Sequence, residues 1–281
     1  MQRAIKNVLI PVNFSASATH AIETGIGMCM RHGATLHLLQ VNRDSVMPHP
    51  AGRNALLMDL RLQARKNDQD ALEWKAKSIA QDYRISCFFH LREGQFAKTV
   101  ASVAKDFYCD MILLERQIPS SFAGLINTHS AYQILFQTDC PVMVIPARCA
   151  KKRFDSILFP ISPAQAIGSK LDVSLPIIRE NKATVTLIGS TTSRNSISEC
   201  VHVNNLIQSA HSVISRNTNK VDKELDPTRR TAKKIIRKAI EKSTDLVIIS
   251  ASFKTSLEHL FTGNYTQQML NTCPVPVLSV R

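Results

Sequence analysis

The chain has 281 residues, 44% of them hydrophobic, and 35 Lys and Arg against 22 Asp and Glu give a formal net charge of +13. That length suits two domains of ordinary size, and no apolar run reaches the roughly 20 residues that a membrane span requires. The first dozen residues lack the long apolar stretch and small-residue cleavage site of a signal peptide, and the seven cysteines, without a C-x-x-C pair, read as free thiols in a reducing cytoplasm.

In chain order, the first strand is Val8-Leu9-Ile10-Pro11-Val12. Ala18, Ala21, Ile22, Gly25, Ile26 and Cys29 then fall at helical spacing, and Gly33 stands where a left-handed helix cap is expected. A second strand follows at Ala34-Thr35-Leu36-His37-Leu38-Leu39, then a long polar helix over Asn54 to Asp82 containing Trp74. Asp110-Met111-Ile112-Leu113-Leu114 reads as another strand, Gln133-Ile134-Leu135 as part of a helix, and Pro141-Val142 opens a closing strand. After the basic, unpatterned joint Arg148 to Arg153 the same series begins again.

The second series matches the first almost residue for residue. Ile157-Leu158-Phe159-Pro160-Ile161 and Ala183-Thr184-Val185-Thr186-Leu187-Ile188 lie 149 residues beyond their counterparts. Asp245-Leu246-Val247-Ile248-Ile249, Gln268-Met269-Leu270 and Pro276-Val277 lie 135 beyond theirs, so the first half carries 14 extra residues, assigned to the helix at 54–82. Ala164, Ile167, Leu171, Leu175 and Ile178 repeat the first helical stripe. A helix is expected from Pro227 to Ser243, with Asp226 as N-cap, Pro227 at the first helical position and a buried stripe of Ala232, Ile235, Ile236, Ala239 and Ile240. Apolar pentads alternating with amphipathic stretches are the pattern of βαβ units around a parallel sheet. The short joint implies that the two units are packed together. The charge is uneven: residues 1–149 hold 16 Lys and Arg against 12 Asp and Glu, leaving 19 against 10 for 150–281. An anionic partner suits that excess.

The opening strand with its proline (Val8 to Asn13), the run Arg31 to Val41, the turn Arg92-Glu93-Gly94, and the closing strands Cys140 to Ile145 and Pro274 to Val280 resemble the universal stress protein family, twice over and across nearly the whole chain. The resemblance implies an α/β fold of two tandem doubly wound domains, 1–149 and 150–281. Each would be a five-stranded parallel sheet in the order 3-2-1-4-5 with helices on both faces. It also implies an internal pseudo-dimer through the last strands.

One branch of that family binds ATP or AMP through an aspartate ending strand one and a loop G-x2-G-x9-G followed by Ser or Thr. Phosphate is held there by converging backbone N–H groups, and glycine allows the close approach. On this chain the aspartate position is Asn13 in the first half and Ser162 in the second. The loop positions are Glu115, Ile118, Thr128 and His129 in the first half, and Ser250, Phe253, Gly263 and Asn264 in the second. One glycine of six survives, in a chain whose nine glycines are roughly half the usual ~7% share. A carboxylate at Glu115 would repel a phosphate by about 4 kcal/mol at ~4 Å and an effective dielectric near 20, and β-branched Ile118 resists positive φ. The second half keeps a hydroxyl-rich loop, with Lys254 as an anion partner.

Other constellations are weaker. Cys29 and His32 have metal-like spacing but supply only two ligands, and Cys29 lies on the apolar stripe, which assigns it to the core. No nucleophile elbow and no H-E-x-x-H occur among the nine histidines. Arg229, Arg230, Lys233, Lys234, Arg237, Lys238 and Lys242 form a basic face over 229–242, yet no aromatics interleave with them. The leading expectation is a cytoplasmic, non-catalytic stress-response or regulatory module that has lost ATP binding, without cofactor or metal. Its partner would be an unidentified protein or a second copy, rather than a membrane or nucleic acid. The alternative is a small-ligand sensor in the second half, taking ATP, AMP or another anion through Ser162, Ser250, Lys254, Gly263 and Asn264, with Asn13 the matching position in the first. A basic scaffold for polyanions is the third.

Overall fold

The computed structural model describes residues 4–12, 19–42, 54–116, 130–147, 149, 151–163, 167–192, 196–251 and 265–281, with the side chains of 54–61 and 130 excepted. Strands and helices alternate within each half, and two strands, one from each half, follow one another across the joint. The first half runs β1 (Asn7–Pro11), α1 (Thr19–His32), β2 (Thr35–Asn42), α2 (Asn54–Tyr83), β3 (Cys87–Glu93), α3 (Phe96–Asp106), β4 (Met111–Arg116), α4 (Ser130–Gln137) and β5 (Val142–Pro146). The second runs β6 (Ser156–Ile161), α5 (Gly168–Asn181), β7 (Thr184–Thr191), α6 (Ile197–Ile214), β8 (Val221–Arg229), α7 (Ala232–Glu241), β9 (Leu246–Ser250), α8 (Tyr265–Thr272) and β10 (Val277–Val280).

The apolar pentads become strands covered on both faces. β5, β9 and β10 are buried at every position, whereas the edge strands β3 and β8 leave several residues exposed, alternating along most of β8 as period-two geometry requires. On β1, Val8 and Ile10 join α1, α2, α5 and α6 in one core, while Leu9 points to a second core with α3, α4, α7 and α8. Each core runs through both halves without interruption. The strand order is β3-β2-β1-β4-β5-β10-β9-β6-β7-β8. Each half therefore keeps the order 3-2-1-4-5 with parallel pairing. Instead of two separate sheets there is one ten-stranded sheet, because β5 and β10 pair antiparallel through Val144–Val277, Met143–Leu278 and Val142–Ser279.

Local devices recur at the sequence offsets. The Asp110 carboxylate accepts from the backbone N–H of Lys6 and Asn7 at 2.7 and 3.1 Å. Asp245 accepts from those of Asp155 and Ser156, both at 3.0 Å. Each aspartate thus ties the start of its first strand to the start of its fourth. Gly33 ends α1 at φ +61, and Lys182 does the same for α5 at φ 51 without glycine's freedom. The extra length of the first half lies mostly in α2, which has 30 residues against 18 in α6.

One expected helix start moves. Asp226, Pro227 and Arg229 belong to edge strand β8, whose register to β7 shifts between Ser190 and Thr191, and an edge strand tolerates a proline that cannot donate. Helix α7 begins instead at Ala232, capped by Thr231, whose hydroxyl accepts from the Lys234 N–H. Ala232, Ile235 and Ala239 are buried as the stripe requires, but Ile240 is 60% exposed.

The joint between the halves lies against α1. A Cβ added at Gly27 would stand 2.7 Å from the Lys152 carbonyl oxygen and 3.1 Å from its Cα, both backbone atoms. Gly27→Ala, although it improves helix propensity, should therefore destabilise the protein by about 1–3 kcal/mol. Urea unfolding would record this as a lower midpoint with an unchanged slope.

Candidate functional site

In a doubly wound sheet the ligand crevice lies beyond the carboxyl ends of the strands where the order reverses. Those places are the end of β1, flanked by β2 and β4, and the end of β6, flanked by β7 and β9. Of the residues singled out by sequence, Ser162 follows β6 and is buried, and Ser250 ends β9 and is also buried. The two lie at the ends of adjacent, paired strands. Asn13, Lys254, Gly263 and Asn264, like Ile118, Thr128, His129 and Phe253, fall outside the described residues.

The first-half crevice is occupied by a side chain of the protein itself. Glu115, near the end of β4, has only 6% of its side chain exposed. One carboxylate oxygen accepts from the backbone N–H groups of His20 and Ala21, at 2.9 and 3.1 Å. The other meets His20 Nδ1 at 2.9 Å. These are first-turn amides of α1, the donors that a helix N-terminus leaves without intrahelical partners and turns towards anions. Glu115 thus stands where a bound phosphate would draw on the same donors.

The second half inverts the charge at this locus. Ser250 replaces Glu115, and Ser169 and Lys170 replace His20 and Ala21 at the 149-residue offset. The residue before α5, Ile167, provides no side-chain cap. Lys170 is 1% exposed; its ammonium donates to the Pro160 carbonyl and lies 3.9 Å from the Phe159 ring centroid. Burial, reinforced by the charge of Arg230, pushes its pKa well below the ordinary value. Arg230 stacks over the ring of Tyr265 at 4.0 Å. The Tyr265 hydroxyl is buried without a hydrogen-bond partner, and its pKa is pushed up to about 12, chiefly by burial.

Sequence reasoning flagged Glu115 as a lost glycine but missed what it binds, and it missed Lys170, Arg230 and Tyr265 as a group. The signal for Lys170 was in the repeat: a lysine aligned with a small apolar residue, Ala21, immediately before the buried Leu171.

The remaining candidates resolve simply. Cys29 is fully buried and its thiol is pushed up to about 12, first by burial and then by Cys87. No cluster of three or more metal-ligating side chains occurs among the described residues. The basic face of α7 is laced with carboxylates: Glu224 meets Lys238 at 3.3 Å and also Lys242, and Glu241 meets Arg237 at 3.5 Å. The pKa of Glu224 is lowered mainly by its hydrogen bond from Lys242.

The fold and its two switch points define a doubly wound α/β protein, duplicated in one chain. The model of the universal stress protein family matches residues 4–146, just over half of the 281 residues, and the chain belongs to that family. A universal stress protein from Archaeoglobus fulgidus superposes with a TM-score of 0.74 at 12% identity, covering 99% of this chain and 97% of its own. A functionally unknown protein from Pseudomonas aeruginosa superposes with a TM-score of 0.62 at 16% identity, covering 99% and 92%. At such identities the likeness speaks for the fold.

Two substitutions test the inverted locus. Glu115→Ala strips the first turn of α1 of its anion and should cost about 1–3 kcal/mol in thermal unfolding. Lys170→Met should instead stabilise the protein by about 1 kcal/mol or more near neutral pH, because it removes a buried amine. Folded Lys170 binds its proton less tightly than the unfolded chain, so the unfolded chain holds more protons between neutral pH and lysine's ordinary 10.5. The wild type therefore gains stability across that interval, and the advantage of Lys170→Met shrinks as pH rises. Urea midpoints of both proteins at neutral and alkaline pH measure the difference.

Proposed function

We propose that this protein is a non-catalytic stress-response or regulatory module of the universal stress protein family, cytoplasmic in location, whose first half has given up ATP binding. The observation that carries the reading is the Glu115 carboxylate on the His20 and Ala21 amides. A phosphate would have to displace a side chain tethered to the same chain, and it would meet a like charge in doing so. Among the described residues no helix is long and apolar enough to cross a membrane. In this reading the β5–β10 pairing takes the part of a subunit contact, so the chain acts as its own pseudo-dimer.

A second reading is favoured by the other half. Lys170, Arg230 and the buried Tyr265 hydroxyl lie near a switch point that also holds Ser162 and Ser250. That group offers the charge of Arg230 and hydrogen-bond donors to a small anion, ATP or AMP among the candidates, so a sensor role belongs to the second half.

Thermal-shift and calorimetric titrations with ATP and AMP, each with and without magnesium, separate the two. The leading reading expects no saturable response. Ligand at a hundredfold excess over its dissociation constant adds about 2.7 kcal/mol. A saturable rise of several degrees, removed by Gly263→Glu, would replace the leading reading with the second. If Glu115→Ala gains ATP binding that the wild type lacks, the part assigned to Glu115 is upheld.

A further inference from the structure

A second cleft lies at the amino ends of the strands, opposite both switch points. It has a volume of about 340 Å³ and is lined by Ala4 and Ile5 ahead of β1, by Arg31, His32 and Gly33 at the end of α1, and by Pro176, Arg179 and Glu180 of α5. It therefore exists only because the two halves are joined, with α1 packed against α5.

Its wall holds donors that the protein does not use. Nε and Nη2 of Arg31 and Nε2 of His32 are buried and have no hydrogen-bond partner in the structure. Two guanidinium nitrogens buried without partners are costly unless something pairs with them, even though Arg31 as a whole is only half-buried. Nε and Nη2 form one edge of the guanidinium fork, the edge that takes two oxygens of an oxyanion side by side. Every carboxylate nearby is already engaged: Glu180 accepts from Arg179 Nε at 2.9 Å, and Asp155 pairs with Arg153 at 2.9 Å. Three guanidinium groups thus face two carboxylates, and the surplus charge rests on Arg31. Burial and the charge of Arg153 lower its pKa, and His32 is pushed down to about 4, mainly by burial. Asp155 and Glu180 offset these shifts only in part, so burial decides both.

We propose that this cleft between α1 and α5 binds a phosphate group, free or carried on a small phosphomonoester. The fork edge of Arg31 turns into the cleft to take two oxygens, and His32 Nε2 donates to a third. Arg179, already held by Glu180, adds to the field without adding a free donor. The volume is within the range of small-molecule sites, which leaves room for a small group attached to the phosphate. A ligand here bridges the two halves, so its occupancy reports on, and strengthens, their association.

The test uses the full chain, with inorganic phosphate and glycerol phosphate in separate calorimetric titrations and succinate as the carboxylate comparison. Saturable binding is expected, with a rise in the thermal midpoint, and the stronger of the two phosphate arms identifies the source. Arg31→Lys keeps the charge but loses the fork, and should weaken binding roughly tenfold or more. Phosphate should also shift the ring resonances of His32 in the NMR spectrum of the wild type, a readout that survives if Arg31→Lys folds poorly. The proposal is overturned if phosphate does not saturate, if succinate binds and phosphate does not, if His32 stays unmoved, or if a folded Arg31→Lys binds phosphate as the wild type does.

Discussion

The antiparallel pairing of β5 with β10 is the contact on which the rest of the molecule depends. It joins two parallel sheets edge to edge at residues that are almost entirely apolar and buried, Val142, Met143 and Val144 against Val277, Leu278 and Ser279. Without it each half would present an open strand edge and an apolar rim, the features that invite aggregation. With it both helical layers become continuous, and α4 meets α8 across the junction. Arg116 then reaches across to the second half, donating to the Cys273 and Leu270 carbonyls at 2.7 and 3.3 Å, and in the joint itself Lys151 meets Asp245 at 2.7 Å. Arg116 satisfies carbonyls at the end of α8 that the helix leaves open. The one polar intruder in the seam, the Ser279 hydroxyl, is buried without a partner, a cost that apolar burial along the seam outweighs.

Once the scaffold is shared, the two copies are free to diverge where it matters least to the core. The locus at the start of the first helix shows how far. In the first half a carboxylate from β4 sits on the helix amides; in the second a lysine from the helix reaches back to the β6 backbone. The first arrangement agrees with the helix dipole and stabilises the fold. The second opposes the dipole and burial together. An unfavourable buried amine retained beside an arginine and an unpaired tyrosine hydroxyl is the kind of local conflict that a purely structural module has no need to keep.

The strands were legible because a parallel strand covered on both faces must be apolar along its whole length. The repeat supplied a second reading of each element, which is why the long α2 could be placed within a few residues. The misplacement at Asp226-Pro227 has a physical reason. Proline after an acidic residue suits a helix start and an edge strand equally well, and only the pairing of β8 with β7 decides between them. Ile240 looked buried by spacing, yet α7 ends one residue later and turns that position outward. The partners of Glu115 and Lys170 lie 95 residues away in one case and on a carbonyl in the other. A single sequence records neither a backbone amide nor a carbonyl as a binding group, so those contacts could not be seen in it.

The two ends of the molecule differ in which residues the helices present there. At the carboxyl ends of the strands, helix N-termini and loops create sites within each half, so each copy could lose or alter its site alone. At the amino ends the helices present their C-termini, where carbonyls favour cations, and Arg31, His32 and Arg179 occupy those last turns. In an isolated half such residues would be solvated. Joining the halves brings two of these basic helix ends face to face and buries Nε and Nη2 of the half-buried Arg31 without a partner, which turns an ordinary capping preference into an unmet hydrogen-bonding demand. Duplication within one chain therefore relaxed the constraint on the older sites while it created a locus that neither copy possesses alone.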